Sequence, residues 1–592
     1  MALTRRRPAV PAQANGHGEP GAPATPAQQQ NAASGRPLLG QLLVEQNAIT
    51  TAQLTAALNH QSASGKPLGL LLVELGALDE NDLAEGLAAQ LGLPVADLAS
   101  TTPDADALAA VPESVARAHL ALPLSLDDGI VCVALADPSV QNSSSLAKAL
   151  GRPVRLLVAP ASDVRRALDA SYRLLGGVDG LIAQFAQSAG VTKRREPSAA
   201  QTEVTENAPV VQLVNLLITQ ALRDRASDVH IEPQDSRLRI RFRIDGALHD
   251  VLALPEEMAA ALTSRLKIMA GMNIVERRRP QDGQIATEVD GRAVDIRVAT
   301  TGTIWGEKVV LRILDKSRPL YRLNDLGMPV DTHEAFSKLV RAPFGMVLCA
   351  GPTGSGKTTT LYATMSEINE SQRNIMTIED PVEYVFPSIN QIQMNEQAGL
   401  SFATGLKSIL RQDPDVILVG EIRDVETARI ATQSALTGHF VLSSLHATDA
   451  VAALHRFLDM GIESFLIASS VIAIVGQRLV RRICASCKTP YTPSVEEMEF
   501  YAQSGGGNKK TFYRGTGCNF CSNTGFSDRV GVYELLQITP EIKRLIVGWA
   551  TQDELRRMAV KQGMRTLSDE GIALVENDVT TISEIVRNIY AA

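Results

Sequence analysis

The eight residues Gly351-Pro352-Thr353-Gly354-Ser355-Gly356-Lys357-Thr358 restrict this chain more than any other stretch. An apolar run from Phe344 to Ala350 precedes them and reads as a buried strand; a helical pattern from Thr359 to Asn369 follows. The pattern G-x-x-x-x-G-K-[ST], placed between a strand and a helix, is a phosphate-binding loop. Its glycines let consecutive backbone N–H groups wrap an oligophosphate, and the helix N-terminus adds its dipole. Lys357 reaches the β- and γ-phosphates, and Thr358 offers an oxygen to Mg²⁺. The competing reading is a chance match in a glycine-containing loop, and the correct flanking elements weigh against it. ATP with Mg²⁺ is therefore the expected ligand, held by Gly351 to Thr358 together with Thr359.

Two downstream segments end in carboxylates. Ile375 to Glu383 reads as a strand running into Glu379-Asp380-Pro381-Val382-Glu383, where the proline stops it. Asp415 to Asp424 is a second, with Gly420-Glu421-Ile422-Arg423-Asp424 at its end. Strand C-termini of a parallel α/β sheet face the ligand, so both clusters can converge on Mg²⁺ and an attacking water. Either alone would pass for an ordinary acidic loop. A third strand, Thr437 to Thr448, carries His439 at its start and His446 just past its end, where a γ-phosphate contact is expected.

Composition bounds the rest. The chain has 592 residues, enough for about four domains at roughly 150 residues each. It carries 57 Lys+Arg against 65 Asp+Glu, a formal net charge of −8. That balance argues against direct nucleic-acid binding, which needs a basic excess. Aromatics are only 4% of residues, so aliphatic side chains must fill the cores. No apolar run reaches the ~18 residues of a membrane helix; the longest candidate, Phe465 to Val475, reads as a buried helix. Arg5-Arg6-Arg7 has no apolar segment after it to make a signal peptide. With six cysteines, four of them in C-x-x-C pairs, the expected compartment is the cytoplasm.

Residues 1–36, rich in Ala, Pro, Gly and Gln, read as a disordered tail. A repeat follows, in which Leu39-Gly40-Gln41-Leu42-Leu43-Val44-Glu45 recurs 29 residues later as Leu68-Gly69-Leu70-Leu71-Leu72-Val73-Glu74. Ile49, Leu54, Leu58 and Gln61 map onto Leu78, Leu83, Leu87 and Gln90 at the same offset. Each unit predicts a helix pair, with Thr50 or Asp79 capping its second helix. Strand-like Ile130 to Leu135 and Val154 to Val158, then a capped helix from Ser162 to Ala170, complete an N-terminal module over residues 37–172. Residues 173–207 turn to Gly, Ser and charge and read as a linker. A domain over residues 208–318 opens with a helix from Val210 to Arg223. Its expected strands are Leu238 to Ile244, Ala293 to Val298 and Lys308 to Ile313, with hairpin turns at Asp245-Gly246 and Asp290-Gly291. Arg239, Arg241 and Arg243 share one face of the first strand. They form either a solvated sheet face or a positive surface aimed at an anion.

Cys484-x-x-Cys487 and Cys518-x-x-Cys521 lie in turn-like sequence about thirty residues apart. Two such knuckles make a tetrahedral thiolate cage for a structural Zn²⁺ with no open position. Cys132 and Cys349 fall in strands and read as inert core.

With these motifs laid out, the chain resembles, from about residue 37 to its end, the hexameric ATPases that drive type IV pilus assembly and type II secretion (the PilB/GspE family). The resemblance implies a multidomain α/β protein. Its parts are a RecA-like P-loop core (319–480), a PAS-like α+β middle domain, a four-cysteine zinc module (481–530) and a C-terminal helical region (531–592). In family terms Glu383 activates water, Glu421 supports Mg²⁺ and His446 senses the γ-phosphate. Arg297 and Arg312 match the family's arginine fingers, and Lys407, Arg411 and His439 match further positions near the nucleotide. The implied mechanism is closure of the middle domain on ATP and reopening at a hinge near Arg318 to Asn324. Repeated round a homo-hexamer docked at the inner face of the cytoplasmic membrane, this would move an inner-membrane platform protein and add pilins. Type II secretion and DNA-uptake motors share the motifs, and pilus assembly is the favoured reading. The N-terminal repeat resembles a module that binds cyclic-di-GMP through two R-L-G-x-x-L motifs. Here Leu38-Leu39-Gly40 and Pro67-Leu68-Gly69 lack both arginines, so a plain docking module is expected.

Overall fold

The computed structural model describes residues 38–172, 178–192, 208–315 and 321–590. The tail assigned to residues 1–36, both ends of the linker and Arg318 of the hinge lie outside these residues. The described residues divide into two compact units, one up to Leu168 and one from Asp169.

In the first unit the repeat folds as two helix pairs, Leu39–Glu45 with Thr51–Ser64 and Leu68–Glu74 with Glu80–Leu91. Thr50 Oγ1 accepts from the Gln53 N–H and Asp79 from the Asp82 N–H, so both expected caps form. Leu43, Ile49, Ala57, Leu72 and Leu78 share one core drawn from both pairs. Gly40 and Gly69 explain the repeated Leu-Gly. A Cβ at either would lie 2.6 Å from a methyl of Leu54 or Leu83, the same leucine of each unit. Behind the repeat, strands β1 (Ala121–Asp127), β2 (Ile130–Leu135) and β3 (Val154–Val158) form a three-stranded sheet. Cys132 lies on β2, and burial pushes its thiol up, as expected of an inert residue.

The second unit opens with a correction. Residues 178–192, inside the stretch read as linker, form the helix Val178–Thr192. Val178, Leu181, Ile182 and Phe185 recur at helical spacing and pack on the core of the middle domain. That domain is a six-stranded antiparallel sheet in the order β6-β5-β4-β9-β8-β7. Its strands are β4 (Asp228–Pro233), β5 (Arg237–Ile244), β6 (Ala247–Pro255), β7 (Gln281–Val289), β8 (Arg292–Thr303) and β9 (Gly306–Asp315). Asp245-Gly246 and Asp290-Gly291 both have positive φ, the geometry of tight hairpin turns.

The third sheet holds the phosphate loop. Its strands are β10 (Gly345–Ala350), β11 (Ile375–Glu379), β12 (Asn390–Gln393), β13 (Val416–Val419), β14 (Phe440–Leu445), β15 (Val471–Ile483) and β18 (Phe526–Gln537). The order is β12-β11-β13-β14-β10-β15-β18, parallel throughout except for β18. On β10, Met346, Leu348 and Ala350 face one core while Val347 and Cys349 face the other, so both sides of the sheet are covered. Burial pushes the Cys349 thiol up to about 12. The apolar run from Phe465 to Val475 is half helix, Ser464–Ser470, and half strand. From Val471 the β-branched residues enter β15 beside β10, where a buried central strand satisfies their backbone. The β15–β18 ladder runs from Ala473↔Gln537 to Ile483↔Phe526. It extends the nucleotide sheet into the segments assigned to the zinc module and the C-terminal helices. Leu536, Ile542, Ile546 and Leu555 bury in the same core as β10. A small two-stranded antiparallel sheet, β16 (Lys488–Tyr491) with β17 (Phe512–Gly515), lies beside the cysteines.

Candidate functional site

The loop Gly351–Thr358 joins β10 to the helix Lys357–Ile368 at the C-terminal edge of the sheet. Gly354 and Gly356 have φ of +77° and +89°, which only glycine adopts without strain. Gly351 could hold no side chain, because a Cβ would lie 2.4 Å from Ser355 Oγ and 2.6 Å from the Gln477 carbonyl oxygen. Lys357 Nζ donates to the carbonyls of Gly351 (2.9 Å) and Pro352 (3.0 Å). Burial draws this ammonium below its ordinary range. A desolvated cation beside outward N–H groups is a seat for an anion.

The three neighbouring strands deliver their ends to the same edge. Glu379 closes β11, Glu421 stands two residues past β13 and His446 follows β14 directly. Glu421 pairs with Arg423 on one oxygen and with His446 Nε2 at 3.2 Å on the other. Burial, then the Lys357 charge, holds His446 below its ordinary range. A threonine hydroxyl and a carboxylate are hard oxygen donors, so Thr358 and Glu421 fit Mg²⁺. Burial pushes Glu383 above the usual carboxylate range while Arg297 and Arg312 pull it back. Both arginines therefore act on Glu383 from the middle domain. They stand directly opposite each other on β8 and β9. Like charges in that register repel; here Arg312 is offset by Asp228 at 3.1 Å.

Two expected residues lie elsewhere. His439 precedes β14, its carbonyl accepting from the Gly345 N–H at the start of β10. It is thus at the opposite end of the strands from Gly351 of the same chain. Its Nδ1 is engaged by the Ser434 carbonyl at 3.0 Å. Arg411 follows the helix Phe402–Ile409, beside Gln412, whose carbonyl meets Asn374 at the start of β11. That is the far end again. Lys407 pairs with Glu426 at 2.6 Å. The arginine row on β5 is neutralised, Arg239 by Asp250 (2.5 Å), Arg241 by Glu232 (2.8 Å) and Arg243 by Asp228 (3.4 Å). The row is thus an ion-paired, half-buried face, in which Glu232 also serves Lys308 and Asp228 also serves Arg312.

The positioning residues Tyr362 and Gln477 escaped the sequence reading, which had Glu379 only as one of a carboxylate cluster. Tyr362, on the phosphate-loop helix, donates its hydroxyl to Glu379 and accepts the Glu383 N–H at 3.2 Å. Glu379 also accepts from Thr377 Oγ1 (2.6 Å) and Gln391 Nε2 (3.2 Å), so its carboxylate organises the loop that carries Glu383. Gln477 on β15 donates to the Ser355 carbonyl at 2.7 Å. The only sequence signal for any of them was a polar group inside an apolar pattern.

The four cysteines meet as expected. All are free thiols, and their sulfurs lie within 4.8 Å of one another. The separations Cys484–Cys518 (3.8 Å), Cys487–Cys521 (3.8 Å) and Cys518–Cys521 (3.7 Å) exclude disulfides. They match the ~3.8 Å edge of a tetrahedron with ~2.3 Å metal–sulfur bonds. Hydrogen bonding from Cys484 and from the Cys518 and Gly525 N–H groups pulls the Cys521 thiol below its ordinary range, favouring a thiolate ligand.

A family described as "Type II/IV secretion system protein" matches residues 203–587, and an "MshEN domain" matches residues 91–177. The chain is 40% identical over 562 residues to "Type IV pilus assembly ATPase PilB" of Myxococcus xanthus, covering 94% of this chain and 99% of the relative. It is 40% identical over 557 residues to "Type II secretion system protein E" of Xanthomonas campestris pv. campestris, covering 92% and 97%. To "Type II secretion system protein HxcR" of Pseudomonas aeruginosa it is 48% identical over 385 residues, 65% of this chain and 78% of the relative.

Tyr362→Phe removes the hydroxyl that joins Glu379 to the Glu383 backbone. We expect kcat for nucleotide hydrolysis to fall about tenfold, the loss of one charge-assisted hydrogen bond of about 1.5 kcal/mol, with KM within about twofold. Steady-state phosphate release checks this; an unchanged kcat would mean that the Glu383 loop is held by other contacts.

Proposed function

Because the chain belongs to the type II/IV secretion system protein family, we propose that it is a hexameric motor that powers type IV pilus assembly through an inner-membrane platform protein. It is an ATP hydrolase of that family. The observation that carries the motor reading is the pair Arg297 and Arg312. They sit on the middle domain yet act on Glu383 of the nucleotide domain, so that nucleotide chemistry and domain closure share the same charges. Among the described residues no helix is long and apolar enough to cross a membrane. In this reading the ring docks at the inner face of the cytoplasmic membrane through its partners.

In the proposed mechanism Lys357 and the loop N–H groups hold the β- and γ-phosphates. Thr358 and Glu421 would hold Mg²⁺, which when bound supplies charge neutralisation across the phosphate oxygens. Glu383, its proton affinity raised by burial, takes a proton from the attacking water. The water oxygen bonds to the γ-phosphorus as the bond to the bridging oxygen breaks, releasing ADP and phosphate. Arg297 and Arg312 neutralise the charge that spreads over the γ-oxygens, and His446 contacts them from β14. Arg411, exposed and without an ion-pair partner among the described residues, and His439 are assigned to the nucleotide of a neighbouring subunit in the ring.

The near full-length match to the Myxococcus pilus ATPase agrees with pilus assembly, although the Xanthomonas type II secretion protein matches at the same identity over almost the same length. The higher identity to HxcR over the ATPase region keeps type II secretion as the second reading. A strain lacking the protein, complemented with wild type or with Lys357→Ala, separates them. We expect surface pili, counted by electron microscopy, to disappear in the variant while exported proteins in the supernatant stay unchanged. Intact pili with a depleted supernatant would make it a secretion motor. Purified Lys357→Ala should lose hydrolysis but keep its ring by size-exclusion chromatography.

The tetrathiolate cage is assigned to structural Zn²⁺. Metal analysis is expected to find about one zinc per chain, lost in Cys521→Ser together with thermal stability; full stability in a zinc-free Cys521→Ser protein would reject that role. For the N-terminal repeat we propose partner docking without cyclic-di-GMP. Lys66, the cation nearest the missing arginine of the second motif, is held by Glu74 at 2.7 Å. Calorimetric titration should show no binding at about tens of micromolar; saturable heat in that range would overturn this reading.

A further inference from the structure

Glu534 on β18 is a carboxylate with 2% of its surface exposed and no cation within ion-pair distance among the described residues. Its two oxygens are spent on two helix starts. Oε1 accepts the Ala450 N–H at 2.9 Å and Oε2 the Leu567 N–H at 3.2 Å. Ala450 begins the helix Ala450–Asp459, and Leu567 begins the helix Leu567–Glu576 of the C-terminal region. Only four residues, His446 to Asp449, separate Ala450 from the end of β14. A loop this short between two fixed ends has little freedom, so whatever fixes Ala450 fixes His446.

The other contacts on this loop come from the same side. Gly476 of β15, paired in register with Glu534, brings its backbone so close that a Cβ would lie 2.9 Å from the Ala450 nitrogen. Arg478, buried at 8% exposure with an unpartnered Nε, donates from Nη2 to the Thr448 carbonyl at 3.3 Å. Arg556, on the helix Gln552–Lys561, holds Asp449 Oδ2 at 2.9 Å, while Asp449 Oδ1 caps the Ala452 N–H.

We propose that Glu534 is a positioning residue for ATP hydrolysis, fixing the His446 loop by accepting the Ala450 N–H and tying that loop to the C-terminal helices through the Leu567 N–H. The proposal rests on the reading of His446 as the γ-phosphate contact. Two N–H donors require two acceptor oxygens, which the ionised carboxylate has. A protonated carboxyl turns one oxygen into a donor facing an N–H. Burial raises this group to about 7. Within that rise Asp449 acts in the same direction as burial, whereas the two N–H groups and Arg556 oppose them. On β15 the facing residue is Gly476, without charge, and on the Leu567 helix the buried Glu570 is paired with Arg565. Activity therefore rises with pH as Glu534 ionises.

The test uses full-length protein and steady-state hydrolysis between about pH 6 and pH 9. Glu534→Gln keeps the size but mimics the protonated group. Its kcat above pH 8 is expected about tenfold below wild type with KM for ATP within about twofold, and the rise near neutrality should vanish. Arg556→Gln removes the cation that favours ionisation, so its rise should move to higher pH. In a His446→Ala background, Glu534→Gln should add little. A Glu534→Gln enzyme with wild-type kcat and pH profile, an unmoved profile in Arg556→Gln, or multiplicative effects in the double variant would overturn the proposal. Should Glu534→Gln fail to fold, the Arg556→Gln profile decides. Unimpaired hydrolysis by His446→Ala would instead sink the reading of His446, and the proposal with it.

Discussion

A phosphate loop works only if its N–H groups point outward, and that leaves its carbonyls to be satisfied from behind. Here Lys357 takes the Gly351 and Pro352 carbonyls, and the backing from outside the loop is one buried side chain, Gln477, whose amide holds the Ser355 carbonyl while its own backbone lies against Gly351. Gln477 is on β15, the strand that pairs with β10 on one side and β18 on the other. The seat of the loop thus depends on a strand more than a hundred residues away in sequence. Through the β15–β18 ladder it depends also on the cysteine module and the C-terminal helices. Those late segments serve as the back wall of the nucleotide site.

That dependence explains what could be read from the sequence. The Gly351–Thr358 loop, the 29-residue repeat and the paired C-x-x-C knuckles were legible because each is a local pattern whose chemistry is fixed by spacing. The strand ends bearing Glu421 and His446 followed from parallel-sheet geometry. What failed was long-range. The stretch Val471–Val475 is apolar in either a helix or a buried strand, and only its place beside β10 decides between them. The helix Val178–Thr192 carried a legible period at Val178, Leu181, Ile182 and Phe185, masked by the glycine-rich and charged residues around it. Whether a histidine lies at the start or the end of a strand is worth six residues of sheet, about 20 Å, and that separates His439 from His446. Partners such as Tyr362 for Glu379, or Asp250 for Arg239, leave no trace in local spacing.

Charge in the second unit is arranged in two ways, and the contrast is informative. On β5 each arginine of the row is ion-paired, with Asp250, Glu232 or Asp228, although Glu232 is shared with Lys308 and Asp228 with Arg312. On β8 and β9, Arg297 and Arg312 face each other, and Arg312 has only its share of Asp228 as an ion-pair partner among the described residues. A like-charged pair in register costs about 0.2–1 kcal/mol, small enough for a stable sheet to carry. An approaching anion would relieve that repulsion, so the proposed closure of the middle domain on nucleotide would draw on the same charges.

Besides the Glu421 contact to His446 itself, the His446 loop is held by groups that arrive late in the chain: Arg478, Glu534 and Arg556. In the proposed mechanism the γ-phosphate meets both the arginines of the middle domain and a loop anchored to the C-terminal helices. A buried carboxylate shared between two helix N-termini is stable only while both helices stay in place, because displacing either strands an N–H donor or an acceptor at a cost of about 1–3 kcal/mol. Movement of the C-terminal helices and movement of the His446 loop are therefore coupled by the same two hydrogen bonds. A force applied to the C-terminal region has a direct physical route to His446, the proposed phosphate contact.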